Sequence, residues 1–213
     1  MLPLLKQEVV EIETTHPSLD EQILRADKLS TQLEQLLFEK QTVRTDRDEF
    51  CLLYWSLVFE HHQGIMLLLH KKLYAPAFAL IRPIVEAFLR LYVAVKGTED
   101  QLAALKNGTY RPEFQKVGEQ IDRDHGLKPL LGPWFERNTD ILHGFTHGGL
   151  EQVMRRRSGA DIIPNYSDEE VLSVVHLTTI FACLTAALAT RFLGFTAENA
   201  IADSVYTDYV QSF

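Results

Sequence analysis

The chain has 213 residues, 46% of them hydrophobic and 23% charged. At roughly 150 residues per domain this is one domain, long enough to build a core without staples, and its composition excludes disorder and collagen-like repeats. A formal net charge of −8 argues against general, sequence-blind affinity for nucleic acid, but leaves room for a local phosphate site.

Cys51 and Cys183 both sit in apolar runs and read as small buried hydrophobes of a reducing compartment. That excludes a disulfide scaffold and a Cys-rich zinc site. The opening MLPLLKQEVVEIE has no basic region ahead of an apolar core and cleavage site, so no signal peptide and a cytoplasmic location are expected.

In chain order, Ser18 and Glu21 form a capping box, followed by an apolar stripe of Leu19, Ile23, Ala26, Leu29, Leu33 and Leu36. These predict an amphipathic helix to about Gln41. Thr45 and Asp48 open a second helix whose run FCLLYWSLVFEHHQGIMLLLH is apolar nearly all round, so it should be central. Pro76 suits the first turn of a third helix that Gly97 stops. Pro83 should bend that helix or mark where it starts properly. Two short helices are expected around Glu99–Lys106 and Glu113–Arg123, then a helix from about Trp134 to Met154. A loop over Arg155 to Ser167 follows.

A third capping box, Ser167 with Glu170, starts a long apolar helix to about Phe192, and Ala197 to Gln211 closes the chain. Val171 to Thr190 carries no Asp, Glu, Lys or Arg and has the length of a bilayer crossing. His176 and its hydroxyl residues favour a buried bundle helix, with no membrane. Strict alternation and hairpin dipeptides are absent. The expectation is a single all-α domain over 1–213, with a core at about 18–195 and a C-terminal helix at about 197–211. It should be a bundle of four or five long helices plus short ones.

Chemistry concentrates in the stretch Glu136 to Gly149, which holds Arg137, Asn138, His143, His147 and three glycines. Glycines in a helix cost about 1 kcal/mol each against alanine, so they point to close packing or ligand approach. Arginine offers a fixed fork for phosphate oxygens, and histidine moves protons near neutral pH. On an ideal helix His143 and His147 lie about 40° apart, but Arg137 lies about 120° from His143. A helix start near Arg137, or a second subunit, would have to complete the site. Without either, the same residues read as a capped helix end and a polar seam.

Arg137, Asn138 and, after four residues, His143 resemble the signature of the HEPN superfamily: Arg, a polar residue, then His. Phe145-Thr-His-Gly-Gly149 and Ala79-Leu-Ile-Arg-Pro-Ile-Val-Glu86 look like a poorly characterised HEPN-like branch. The resemblance implies an all-α fold, a two-fold homodimer, and a metal-independent ribonuclease or RNA-binding relative. It also implies toxin or phage-defence work with an antitoxin or defence partner. A histidine, His143 or His147, would carry the proton. Arg137 would stabilise phosphate charge and Asn138 would position it. Arg155, Arg156 and Arg157 would meet RNA backbone, or else offset a helix dipole at a solvated end.

Other readings stand beside this one. His143 and His147 at i, i+4, with Glu60-His61-His62 as a third source, resemble the three-histidine site of DinB-like metal-dependent hydrolases. The His-Glu-x-x-His and paired Glu-x-x-His motifs are missing, so no metal and no cofactor are expected. Arg82 and Glu86, with Arg90 a turn on, place charges in an apolar helix. They should pair, brace the motif helix or shape a ligand pocket. His61 and His62 suit a helix seam and His176 the core. The competing class is a non-catalytic interaction module.

Overall fold

The computed structural model describes residues 17–38, 40, 43–124 and 129–211. The N-terminal segment read for a signal peptide and the end of the first expected helix at Gln41 lie outside these residues. Among the described residues the chain is all-α. Its helices are α1 (Leu19–Phe38), α2 (Asp46–His70), α3 (Tyr74–Ala79), α4 (Ile81–Lys96), α5 (Glu99–Lys106), α6 (Phe114–Asp124), α7 (Leu131–Thr146), α8 (Leu150–Met154), α9 (Asp168–Leu193) and α10 (Thr196–Val210).

Four long helices make the bundle. α1 packs on α2, α2 on α4, α4 on α9 and α9 back on α1, with α10 along the outside of α9. α4 is buried on most of its surface because Ile84, Val85, Phe88, Leu89, Leu91 and Tyr92 point in several directions into the core. α9 is the one described helix long and apolar enough to cross a membrane. Its Val171, Val175, Phe181, Ala182 and Ala186 are buried against the other bundle helices, as in the core helix of a soluble protein. Its charge-poor stretch is core sequence.

Local sequence rules set the ends. Ser18 with Glu21, Thr45 with Asp48 and Ser167 with Glu170 form the expected reciprocal capping boxes, and Thr98 with Gln101 adds a fourth. The expected third helix is two. Pro83 has no N–H to offer the carbonyl of Ala79, so the chain breaks at Leu80 and Pro83 sits in the first turn of α4. The Thr146 hydroxyl, from α7, takes the freed carbonyl, lying 3.2 Å from Ala79 O and 2.9 Å from Leu142 O.

The expected helix from Trp134 to Met154 is also two, and this corrects the sequence reading. His147 ends α7, Gly148 takes the left-handed conformation at φ 67°, and Gly149 N–H donates back to Gly144 O at 2.7 Å. That is a Schellman-type stop, which a residue with a Cβ rarely makes. α8 then turns back so that Glu151 covers Gly144 and Gly149. The packing of this turn accounts for the three glycines.

α6 and α7 form a tight hairpin. A Cβ on Gly118 would stand 2.7 Å from the Phe135 ring and 2.9 Å from Gly132 N, so the helices touch backbone to backbone. The buried Asp122 carboxylate caps α7, accepting from the N–H of Leu130 (2.9 Å), Leu131 (3.1 Å) and Gly132 (3.1 Å). α7 therefore starts well before Arg137.

Candidate functional site

Arg82, Glu86 and Arg90 succeed one another at i, i+4 and i+8, so one face of α4 carries all three. Glu86 bridges the two cations: Arg82 Nε donates to Oε1 at 2.8 Å and Arg90 Nη1 to Oε2 at 2.8 Å. Burial pushes the Glu86 carboxyl up, and the two guanidinium hydrogen bonds outweigh it and hold it below the usual carboxylate range. The trio thus carries one net positive charge. Phe114, the first residue of α6, places its ring 5.2 Å from the Arg82 guanidinium.

The expected brace to the motif helix is present. Arg82 Nη1 lies 3.1 Å from His143 Nδ1. Arginine has only donors, so Nδ1 is the accepting atom of this bond. The His147 ring packs on His143 with centroids 4.3 Å apart. Arg82 and His147 edge a cleft of about 460 Å³ that His61, Glu86, Arg90 and Thr146 also line, with Tyr54 and Leu57 on the same face of α2 as His61. His61 is half-buried, and desolvation lowers its pKa against the pull of Glu60, so it is a neutral base at pH 7.

The remaining expected residues fall elsewhere. Arg137 is exposed on α7 and does not line the cleft, and the regular helix keeps it about 15 Å along the axis from His147. Asn138 is neither a cap nor directed at a ligand: its Nδ2 donates to Trp134 O at 2.7 Å within α7. Arg155 follows α8, pairs with Glu170 and lies 5.8 Å from the Tyr166 ring. Arg157 Nε donates to Gly159 O at 2.8 Å, and Arg156 is exposed.

The third metal ligand of the hydrolase reading resolves into two different residues. His61 faces the cleft, whereas His62 is fully buried, with Nε2 3.0 Å from the Thr179 hydroxyl. Burial pulls the His62 pKa down to about 3. Among the described residues no three His, Cys, Asp or Glu side chains gather closely enough to hold a metal ion. His176 is part-buried beside Gln22, at 3.3 Å. His61 is the cleft residue that sequence reasoning undervalues. Tyr54, Leu57 and His61 at i, i+3 and i+7 are the spacing that marks one face of α2.

Residues 55–213 match the model of a family of unknown function, DUF6988. The chain belongs to that family. The matched span takes in every cleft residue named above except Tyr54. No curated protein and no solved structure matches the chain.

Proposed function

We propose that this DUF6988 member is a HEPN-like, metal-independent endoribonuclease whose cleft receives the scissile phosphodiester. In this reading it is a cytoplasmic toxin or phage-defence component held in check by an antitoxin or defence partner. The observation that carries the reading is the grouping of Arg82, Arg90, His61 and His147 on one cleft of an otherwise acidic chain. Such a set binds phosphate oxygens and moves protons at neutral pH.

The 2′-oxygen attacks phosphorus and the bond to the 5′-oxygen breaks, leaving a 2′,3′-cyclic phosphate and a free 5′-hydroxyl. His61, neutral through desolvation, accepts the 2′-hydroxyl proton, and His147 gives a proton to the departing 5′-oxygen. Arg82 and Arg90 meet the charge that builds on the non-bridging oxygens. His143 is a positioning residue that fixes the Arg82 guanidinium through Nδ1. Arg137, outside the cleft, joins this chemistry only from a second copy. The reading therefore includes a two-fold homodimer with α7 at or near its interface.

The test is cleavage of a pooled RNA in chelator by wild type and by His61→Ala, His147→Ala and Arg82→Ala. Each histidine variant should fold and lose at least roughly a hundredfold in rate. Wild type that cuts nothing sinks the reading. A second reading, a helical interaction module, is favoured by Leu150, Val153 and Met154, which expose one apolar face of α8, and by Ile162 and Ile163, exposed in the segment that follows. It gains if wild type cuts no RNA and all three variants only lower stability.

A further inference from the structure

A second cavity, of about 530 Å³, lies where the C-terminal half of α4 meets α5 and α6. Four cations line it, Lys96, Arg111, Lys116 and Arg123, against two anions, Glu113 and Asp124. On a chain of net charge −8, a local excess of this sign is not set by composition. The cations are weakly committed. Lys96 makes no hydrogen bond or ion pair among the described residues. Arg111 uses only Nη1, on the carbonyls of Gly108 (2.9 Å) and Tyr110 (3.0 Å).

Lys116 pairs with Glu113, and Arg123 donates to the Gln120 amide oxygen at 2.9 Å and lies 3.9 Å from Glu119, all surface contacts worth little in water. Asp124, in contrast, is engaged by the Tyr92 phenol and the Gln120 amide. The groups left to a ligand are therefore mostly positive.

The cavity lies further along α4 than the cleft. Arg82 and Lys96 stand fourteen residues apart on α4, about 21 Å along the axis and within about 40° around it. Arg82 sits over the ring of Phe114, and the helix Phe114 opens carries Lys116 and Arg123. Half-buried Tyr110 lines the cavity too, an aromatic face on which a base can stack.

We infer that this cavity holds phosphates flanking the one in the cleft, so that the ligand is single-stranded RNA running along α4 rather than a mononucleotide. The inference rests on the ribonuclease reading, but it concerns binding and not cleavage. A span of about 21 Å exceeds any single phosphate group. A cavity of this volume admits the backbone of one strand.

The probe is a fluorescent 2′-O-methyl oligonucleotide of a dozen residues, which cannot be cut, with binding followed by anisotropy against salt. The variant is Lys96→Gln/Lys116→Gln/Arg123→Gln, all exposed side chains. It should bind about tenfold or more weaker near 0.1 M salt. Each phosphate that a cation neutralises on a single strand adds about 0.7 to the log–log salt slope, so removing three should make it shallower by about 2. A Lys96→Arg/Lys116→Arg variant should bind like wild type. A dinucleotide monophosphate, which fits the cleft alone, should bind wild type and the glutamine variant equally. Unchanged affinity and slope in the glutamine variant overturn the inference, as does wild type that fails to bind the probe. Binding that depends on these cations without any cleavage of ordinary RNA would overturn the ribonuclease reading and leave the groove standing.

Discussion

Asp122→Ala is expected to destabilise the fold by about 3 kcal/mol at neutral pH. An ordinary helix cap contributes about 1 kcal/mol and up to about 2, and hydrogen bonds to an ionised acceptor are roughly twice as strong as neutral ones. Here one carboxylate, only 4% exposed, accepts from three backbone N–H groups at the start of α7. Alanine orphans all three, beside the close contact of Gly118 with Gly132 where there is little room for water. Asp122→Asn keeps one acceptor and loses the charge, so about half the effect is expected.

The pH dependence has a definite sign. Burial pushes the Asp122 carboxyl up, and the three N–H donors overcome it and hold it below its ordinary 3.8. Its contribution is then complete above that value and is lost as pH falls through the lower folded value. Urea unfolding at neutral pH, repeated at descending pH, reads both parts, and the melting temperature should drop by roughly 6–12 °C. A loss under about 0.5 kcal/mol, or a difference from wild type that stays constant into acid, would refute the capping argument.

Glu86→Gln should cost about 2–3 kcal/mol because it leaves two half-buried guanidiniums without their shared anion. Arg82→Gln should cost less, since Arg90 still holds Oε2 at 2.8 Å, and a double-mutant cycle should show the two changes to be non-additive by at least about 0.5 kcal/mol. His62 is neutral in the fold and charges on unfolding below about 6.5, so wild type should lose stability as pH falls from there toward about 3. His62→Gln should flatten that limb of the stability curve measured by urea unfolding. Gly118→Ala should lower the melting point despite alanine's helix propensity of about 1 kcal/mol, because the new methyl meets the Phe135 ring and backbone rather than a movable side-chain end.

The bundle is legible in the sequence because its signals are local. Ser167 with Glu170 and Thr45 with Asp48 cap the helices they announce, and much of the charge-poor run of α9 is buried against the other bundle helices. Helix breaks are legible only where the rule is local too. Pro83 marks the start of α4 by its chemistry alone. The stop at Gly148 is hidden, since a left-handed glycine inside a run of good periodicity leaves no mark on the pattern.

The candidate site is half legible. His143, His147, Arg82 and Glu86 come together, and their partnership crosses from α4 to α7, held by the contact of Thr146 with Ala79. Arg137 and Asn138 belong to the same sequence motif but are carried round the helix and along it, away from the cleft. Lys96, Lys116 and Arg123 are scattered over two helices, and only the packing of α6 beside α4 makes them one lining.

The most direct test of the central claim incubates the protein in chelator with an RNA oligonucleotide and with its all-2′-deoxy counterpart. The account predicts cleavage of the ribose strand alone, with a 2′,3′-cyclic phosphate and a 5′-hydroxyl at the new ends, abolished by His147→Ala. Equal cutting of both strands, or products bearing a 5′-phosphate, would contradict it. Intact RNA after prolonged incubation at neutral pH would contradict it as well.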